Sequence, residues 1–532
     1  MAVPVEQKPA KPARRFGGAA ALVAAGILLS RLAGLIRDRV FAQYFGTTDV
    51  ADAFRTALRI PNFLQNLFGE GVLSASFIPV YAGLLARDDR EEAGRVAGAV
   101  FAILALLTSV LVLFGVLATP LFIDAIAPGF HGAKRQLTIT LVRIFFPGAG
   151  LLVLSAWCLG ILNSHRRFFL SYSVPVLWNA AIIAALLWFR PRNTEERLAV
   201  LVAWASVVGS GIQLLAQLPV VLRLVPKLRV ALAWHLQNVR VIIRNFGPVF
   251  VSRGVVQVSA YVDSLLATLL PTGAVAVLAY AQTIYLMPVS LFGMSVSASE
   301  LPEMSSALGR EDEVAAYLRK RLIAGLRRIA FFVIPSAVAF IAAGDLIAGA
   351  IYQGHRFQHS DAIWVWGVLA GSGVGLLAST QGRLYSSAFY ALKDTRTPLR
   401  FAIIRVALTT GLGYFCAKPL PPMLGLDPKW GVAGLTASAG VSGWIEYLLL
   451  RQALSRRIGR AGAGAGYLAR LWAAALAGAA STWAIKLSMP ILHPIIMACA
   501  ALIPFGLVYL LFADPKHIRE RIAGVARNRR TV

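Results

Sequence analysis

Long apolar segments recur along the whole chain, and they constrain its fold more than any other feature. A helix that crosses a bilayer needs about 20 mainly apolar residues. The chain is 58% hydrophobic and only 14% charged, whereas a soluble domain carries about 25% charged residues. We therefore predict an all-α polytopic membrane protein rather than a large soluble α-protein. About fourteen spans are expected, near residues 18–46, 52–86, 93–118, 138–163, 168–189, 198–222, 245–269, 273–304, 326–351, 362–390, 397–416, 431–450, 466–486 and 492–512.

Basic residues are concentrated in the short segments between the apolar ones. The net charge of +27 is compatible with nucleic-acid binding, but Lys and Arg also concentrate in the cytoplasmic loops of membrane proteins. With the N-terminus inside, pairs such as Arg166–Arg167 and Arg456–Arg457 fall on the cytoplasmic side, and the opposite side holds far fewer cations. An even number of spans then places both termini in the cytoplasm. We expect no nucleic-acid partner.

Residue types that serve metal binding and catalysis are dispersed. The three cysteines lie inside apolar segments and the seven histidines occur singly, so no disulfide or metal framework is indicated. A membrane glycosyltransferase or lipid phosphatase would need clustered carboxylates or histidines. The sequence has no Walker A motif of the form GxxxxGK[ST]. We expect a protein that is not an enzyme, with no catalytic residues, no metal and no cofactor.

Pieces of the chain repeat at an offset of about 223 residues. The matched pairs are Pro79 with Pro302, Pro175 with Pro398, and Ser30–Arg31 with Ser252–Arg253. Each unit would span six helices, so both have the same orientation and should be related by a pseudo-two-fold axis along the membrane normal. The predicted domains are a basic cytoplasmic tail (1–17), an N-lobe of helices 1–6 (18–225), a C-lobe of helices 7–12 (226–461), a C-terminal helix pair, helices 13–14 (462–513), and a second basic cytoplasmic tail (514–532).

Proline and glycine interrupt two of the predicted spans at corresponding places. Pro61 and Gly69–Gly71 interrupt the second span, and Pro288 and Gly293 interrupt the eighth. Such breaks bend helices and release backbone groups that a polar cavity can satisfy. We expect both spans to be irregular, either to permit movement or to pack small residues between helices.

Charged residues inside the spans cluster in the first two spans and at the start of the second repeat. Charges at membrane depth are costly, normally face a bundle interior or a water-filled cavity, and mark substrate pathways. Arg31 and Asp38 share one helix face, and Asp52, Arg55 and Arg59 form a stripe. The excess of positive charge favours an anion, and the planar fork of Arg suits phosphate. The candidate binding residues are Arg31, Arg37, Asp38, Asp52, Arg59, Glu70 and Arg253.

Some of the intramembrane charges have simpler explanations. Arg39 and Arg55 are equally well explained as helix-end residues that extend to the interface, and Arg143 and Arg383 are isolated, as is typical of structural arginines. The carboxylates of Asp38, Asp52 and Glu70 are expected to pair with arginines in the absence of substrate, which limits the cost of buried charge.

The stretch from Ser30 to Ala82, SRLAGLIRDRVFAQYFGTTDVADAFRTALRIPNFLQNLFGEGVLSASFIPVYA, resembles the signature of the MurJ/MviN lipid II flippase family. This family belongs to the multidrug/oligosaccharidyl-lipid/polysaccharide exporter superfamily. The pieces LNSHRRFFLSYSVPVLWN, YLMPVSLFGMSVSASELPEMS and FYALKDTRTP look like later parts of that family. The resemblance covers nearly the whole chain, and its first stretch is the most specific part.

The resemblance implies a fold and a substrate. It implies two six-helix lobes plus a terminal helix pair, whose groove would hold a lipid tail. The implied activity is translocation of a polyprenyl diphosphate bearing a disaccharide-pentapeptide from the inner to the outer leaflet of the bacterial cytoplasmic membrane by alternating access. Membrane lipids and the cell-wall synthesis machinery are the implied partners. By this resemblance, the family's essential cavity arginines of the first span match Arg31 and Arg37, its aspartate after the first loop matches Asp52, and a basic position of its second span matches Arg59.

This chain departs from the family pattern at three places. Gln65 stands where the second span often has an arginine, and Thr283 stands where the eighth span has an important one. Arg253 in the seventh span is a candidate replacement. Thr409 and Gly413 stand where some members have the Asn and Asp of a sodium site, which argues against sodium coupling by that route. A flippase for another polyprenyl-diphosphate-linked glycan therefore stays open as the alternative, whereas an arginine-rich cavity argues against a drug exporter that prefers cations.

Overall fold

The computed structural model describes residues 16–68, 70–190, 193–306, 310–488 and 493–513. Across these ranges the regular secondary structure is helical throughout, which confirms the predicted all-α class. The helices before the middle of the chain are α1 Phe16–Phe45, α2 Asp49–Phe68, α3 Glu70–Ser76, α4 Ile78–Ala86, α5 Arg90–Leu117, α6 Thr119–Ile126, α7 Gly132–Ser164, α8 Phe168–Ser173, α9 Pro175–Phe189 and α10 Glu195–Leu224. The later helices are α11 Gln237–Thr268, α12 Ala274–Pro288, α13 Ser295–Ser305, α14 Glu311–Tyr352, α15 His359–Ala391, α16 Arg396–Ala417, α17 Leu420–Met423, α18 Gly431–Ile458, α19 Ala465–Ser488 and α20 Pro494–Ala513.

Eleven helical segments among the described residues are long and apolar enough to cross a membrane. Some join shorter helices, as in Asp49–Ala86 and Ala274–Ser305. The helices α1, α11 and α18, which are 30, 32 and 28 residues long, exceed the length of a span but are not among the eleven. The multi-span architecture is therefore confirmed, and the number of about fourteen stays a prediction.

The predicted interruption of the eighth span is present. Helix α12 ends at Pro288, and the chain continues as a π-helical segment, Val289–Met294, before α13 begins. Proline lacks the N–H that the helical ladder requires, and π-helical turns widen the helix locally. Gly293 lies in this segment, where an added Cβ would meet Thr380 at 2.9 Å. This span therefore has a built-in irregular turn.

The sequence repeat extends to helix length and turn conformation. Helices α7 and α15 are each 33 residues long. Each is followed by a tight turn with a left-handed residue, Arg166 (φ 60°) in one and Lys393 (φ 60°) in the other. The first turn leads through the short helix α8 into α9, which begins at Pro175, and the second leads directly into α16, which has Pro398 in its first turn. The lobe boundaries and the pseudo-two-fold relation stay predictions.

The described chain forms two compact units. The first compact unit takes in the described residues of Met1–Arg37, Ala57–Thr119 and Ile139–Gln257. Its core is apolar and aromatic, and the buried indole N–H of Trp157 is satisfied by the carbonyl of Ala97 at 3.1 Å. A glycine lets another segment approach α5 closely, since a Cβ on Gly98 would overlap the carbonyl oxygen of Arg229.

The second compact unit takes in the described residues of Asp38–Thr56, Pro120–Thr138 and Val258–Val532. Helices α15 and α18 pack backbone against backbone, because a Cβ on Gly375 would lie only 2.3 Å from the Cα of Gly440. The α19–α20 pair joins α14 in the same unit through the Lys486–Asp345 ion pair at 2.7 Å. The Tyr509 hydroxyl also donates to the carbonyl of Phe331.

Candidate functional site

Three of the predicted substrate arginines, Arg31, Arg37 and Arg59, lie in the first compact unit. Arg31 is exposed on α1, and Arg37 and Arg59 are partly exposed on α1 and α2. The guanidinium of Arg37 lies over the ring of Trp178, 5.1 Å from its centroid. The Trp178 indole is itself fixed, because its N–H donates to Ser206 Oγ at 3.1 Å. A cation–π contact of this kind positions the charge without neutralising it.

A different arrangement surrounds Asp38, which is 1% exposed in the second compact unit. Arg55 Nη1 donates to Asp38 Oδ1 at 3.0 Å, and Thr283 Oγ1 donates to Asp38 Oδ2 at 2.9 Å. The carboxylate of α1 is thus held by α2 and α12. Breaking a buried ion pair by removing one partner is strongly destabilising, because it leaves an uncompensated charge. We refer to Asp38, Arg55 and Thr283 as the Asp38 cluster.

Aromatic rings enclose the cation of the Asp38 cluster. The Arg55 guanidinium carbon lies 4.4 Å from the ring centroid of Phe41 and 5.0 Å from that of Tyr280. The Tyr280 hydroxyl donates to the carbonyl of Gly46 at 2.9 Å, and the Tyr352 hydroxyl donates to the carbonyl of Tyr280 at 3.1 Å. These aromatic contacts stabilise a positive charge that is 8% exposed.

Asp52 caps the first turn of α12. Its carboxylate accepts from the backbone N–H groups of Gly273 and Ala276, both at 2.8 Å, and from Lys134 Nζ at 2.7 Å. The first N–H groups of a helix lack partners within the helix and carry partial positive charge, so a buried carboxylate is stabilised there. Asp52 thereby fixes the beginning of α12 in the second compact unit.

Neighbouring groups complete this capped end. Lys134 also pairs with Asp49 Oδ1 at 2.8 Å, and Thr272 Oγ1 donates to the same oxygen at 2.9 Å. Gly273 has a φ of +91°, and a Cβ there would lie 2.6 Å from the Thr47 carbonyl oxygen. A glycine is required at this position because no L-residue with a side chain fits both the conformation and the space.

The structure assigns partners to two of the predicted carboxylates. Asp38 pairs with Arg55 and Asp52 with Lys134. The side chains of Glu70 and Arg253 lie outside the described part of the chain. Participation of all seven candidate residues in substrate binding stays a prediction, as does a water-filled cavity beside Arg31.

Sequence reasoning undervalued two cations. Arg55 looked as much like a helix-end residue as a functional one, yet it is buried and ion-paired. Lys134 was not among the candidate residues, yet it contacts Asp49 and Asp52. The available signal was the Asp52, Arg55, Arg59 stripe, which places Arg55 between two residues already singled out. Nothing in the sequence could have brought Lys134 to Asp52, because that contact depends on tertiary packing.

The contacts of Thr283 in the Asp38 cluster concern the position at which the resemblance implies an arginine and this chain has threonine. Within the described part of the chain, Arg55 shares the Asp38 carboxylate with Thr283, and the role of Arg253 as the replacement for a missing arginine stays a prediction. Among the described residues, no group of three or more His, Cys, Asp and Glu side chains could hold a metal ion.

The two turns of the repeat each hold a titratable group outside the spans. Burial lowers the pKa of His165, aided by the charges of Arg90 and Arg167; this ring lies 3.1 Å from the Tyr81 hydroxyl oxygen. In the other turn, hydrogen bonds from the backbone N–H and the hydroxyl of Thr397 lower the pKa of Asp394.

Comparison with known sequences points to one family. The family described as lipid II flippase MurJ matches residues 41–502. A probable lipid II flippase MurJ from Rhizobium meliloti (strain 1021) is 30% identical over 449 residues, which cover 81% of this chain and 79% of the relative. A lipid II flippase MurJ from Burkholderia cenocepacia is 31% identical over 438 residues, which cover 81% of this chain and 82% of the relative.

Solved structures show the same fold. A lipid II flippase MurJ in an inward closed conformation superposes with a TM-score of 0.76 at 23% identity and covers 94% of this chain and 100% of that one. An inward-facing multidrug resistance MATE family transporter of the MOP superfamily superposes with a TM-score of 0.65 at 17% identity. The match covers 82% of this chain and 98% of that one. The polytopic transporter fold expected from the sequence is thus confirmed.

Proposed function

This chain belongs to the lipid II flippase MurJ family, and from that premise we propose that it moves a lipid-linked peptidoglycan precursor across the bacterial cytoplasmic membrane. The precursor, lipid II, would pass from the inner to the outer leaflet and supply cell-wall synthesis. The match over residues 41–502 carries this proposal. Enzymes of cell-wall synthesis, which use the product, are the expected protein partners. Translocation requires no covalent chemistry, so we assign no catalytic residue and no cofactor.

The head group of this substrate is a diphosphate, and Arg31, Arg37 and Arg59 are its proposed ligands. All three are at least partly exposed in the first compact unit. Trp178 holds the Arg37 guanidinium by its ring face, with the guanidinium carbon 5.1 Å from the ring centroid. Arginine binds phosphate oxygens two at a time, and in a site of low dielectric these charge-assisted bonds are strong.

The transport cycle is proposed to follow alternating access. Asp52 and Lys134 hold the beginning of α12 in the described conformation, and the π-helical turn at Val289–Met294 gives the same span a place to bend. In this scheme the polyprenyl tail stays in lipid beside the α19–α20 pair, and both chain termini lie in the cytoplasm. Membrane potential acting on the intramembrane charges is a suitable driving force.

A second candidate is the transport of another polyprenyl-diphosphate-linked glycan. It is favoured by Gln65 and Thr283, which stand where the resemblance to the family implies basic residues. Both candidates share the diphosphate and the lipid tail, so the arginines would serve either one. They differ only in the sugar and peptide that the head group carries.

Complementation tests the function. A bacterium is depleted of its own lipid II flippase and supplied with this chain, Arg31→Ala, Arg37→Ala or Arg143→Ala at matched membrane levels. Arg143 is a control because it is exposed and donates to the Val116 carbonyl at 3.3 Å. We expect growth with the parent chain and Arg143→Ala, and failure with Arg31→Ala and Arg37→Ala.

The outcomes separate the candidates. Growth of the Arg31 and Arg37 variants as good as that of the parent would contradict the role of these arginines. Failure of a correctly inserted parent chain would favour the second glycan. Proteoliposomes containing labelled lipid II then give a direct measurement of transfer between leaflets.

A further inference from the structure

Arg55 has two buried guanidinium nitrogens, with three N–H donors between them, that have no hydrogen-bond partner among the described residues. A guanidinium has five N–H donors. One of them reaches Asp38 Oδ1 at 3.0 Å, but the Nε and Nη2 groups are buried and have no hydrogen-bond partner among the described residues. Buried donors are normally satisfied, and each exception needs an explanation. An ion pair that served only to hold two helices together would gain nothing from these unpartnered groups.

The surroundings of Arg55 stabilise its charge independently of Asp38. Phe41 and Tyr280 present their rings at 4.4 and 5.0 Å from the guanidinium carbon. Ring faces attract a cation but do not accept the in-plane hydrogen bonds of the fork. Arg55 therefore keeps donors for an additional oxygen ligand, and Asp38 is the carboxylate that an anionic ligand would displace.

Asp38 is held from two directions, so its release depends on helix positions. Thr283 Oγ1, on α12, donates to the Asp38 oxygen that Arg55 Nη1 does not use. Five residues further along, α12 reaches Pro288 and the π-helical turn. Bending of α12 at that turn would remove the hydrogen bond of Thr283 and weaken the hold on Asp38.

We propose that Arg55 is a further substrate-binding arginine, which pairs with Asp38 in the described conformation and binds the diphosphate of the lipid substrate when the Asp38 cluster opens. Asp38 then acts as the exchangeable counter-ion that limits the cost of the buried charge between transport events. This inference rests on the proposed function, since it takes its anion from that substrate. It assigns a role to a residue for which the sequence gave equal weight to a simple helix-end position.

The same geometry predicts that the cation can be supplied from α12. Position 283 already contacts the Asp38 carboxylate, so an arginine side chain there would have the same partner. A chain with Arg55→Leu and Thr283→Arg would carry the same number of charges as the parent. We expect it to recover binding that Arg55→Leu alone loses.

Binding of undecaprenyl diphosphate to the purified full chain in detergent tests this proposal, with undecaprenyl monophosphate as the reference ligand. We expect Arg55→Leu to weaken diphosphate binding about tenfold, because it removes charge-assisted hydrogen bonds. The affinity of Arg55→Lys, which keeps the positive charge but not the planar fork, should lie between those of the parent and Arg55→Leu. The affinity of the double variant should return to within about threefold of the parent value. Arg39→Leu is the matched control, since Arg39 donates to the backbone carbonyls of Ala350 and Ile351.

Asp38→Asn provides a readout that a purely structural role would not give. Removing the competing carboxylate should tighten diphosphate binding several-fold, whereas loss of a structural ion pair would leave affinity unchanged or lower it. Equal affinity of the parent and Arg55→Leu, at similar melting temperatures, would overturn the proposal. If Arg55→Leu does not fold, the diphosphate affinity of Arg55→Lys is measured instead. An affinity of Arg55→Lys equal to that of the parent would then overturn the proposal. A parent chain that binds neither lipid phosphate would contradict the proposed function itself.

Discussion

The charges of α1 and α2 occupy two kinds of environment. In the first compact unit, Arg31, Arg37 and Arg59 are at least partly exposed, and an aromatic ring supports Arg37. In the second, Asp38, Asp52 and Arg55 are each less than a tenth exposed and have charged partners within 3.0 Å. An exposed cation can take a ligand at little structural cost, whereas a buried pair fixes helices and is costly to disturb. We therefore propose that the exposed arginines bind substrate directly, whereas Asp52 ties helices together and Arg55 takes substrate only after the Asp38 cluster opens.

Removal of the Asp52 carboxylate tests this division where the effect should be largest. Asp52→Ala leaves Lys134 and the first N–H groups of α12 without a buried carboxylate. We expect a loss of about 3 kcal/mol in the free energy of unfolding, typical of a broken buried pair. Thermal unfolding of the purified protein in detergent measures it.

An exposed pair in the same compact unit gives the matched control. Arg135 Nε and Asp124 Oδ1 lie 2.7 Å apart, with side chains 31% and 57% exposed. Asp124→Ala should cost less than about 1 kcal/mol, as surface pairs do. Equal melting temperatures for the Asp52 and Asp124 variants would show that burial does not separate the two kinds of charge.

Loss of the aromatic ring beneath Arg37 should have a smaller effect, which changes the transport rate but not the stability. Trp178→Leu removes the ring beneath the guanidinium, and a cation–π contact contributes about 0.5–2 kcal/mol. We expect transport of lipid II in proteoliposomes to fall several-fold with little change in melting temperature. Trp178→Phe keeps a ring face and should retain most of the activity. Unchanged transport in Trp178→Leu would mean that the ring does not position Arg37 for substrate.

Much of the fold was predictable because its signals are local. Apolar length fixes the membrane-spanning helices, and Pro288 with Gly293 indicated the irregular eighth span that the π-helical turn confirms. The charged residues of the first two spans were predictable as a group, because charge at membrane depth is rare. Which of these charged residues are buried and which are exposed was not predictable. Whether an arginine such as Arg55 is buried against Asp38 or exposed depends on residues hundreds of positions away, as with Thr283 and Tyr280.

The smallest predicted effect concerns pH and separates the two turns of the repeat. Burial and two nearby arginines lower the pKa of His165 in the folded chain, so below pH 6.5 the unfolded chain binds the proton first. The stability contributed by neutral His165 is therefore complete above that pH and is lost as pH falls toward the folded pKa. The carboxyl of Asp394, whose pKa is also lowered, loses its contribution only at more acidic pH, below its ordinary value of 3.8. Melting temperatures of the parent, His165→Gln and Asp394→Asn between pH 7.5 and pH 5 should show a slightly flatter profile for His165→Gln alone. Parallel profiles for all three would contradict the assignment of this pH dependence to His165.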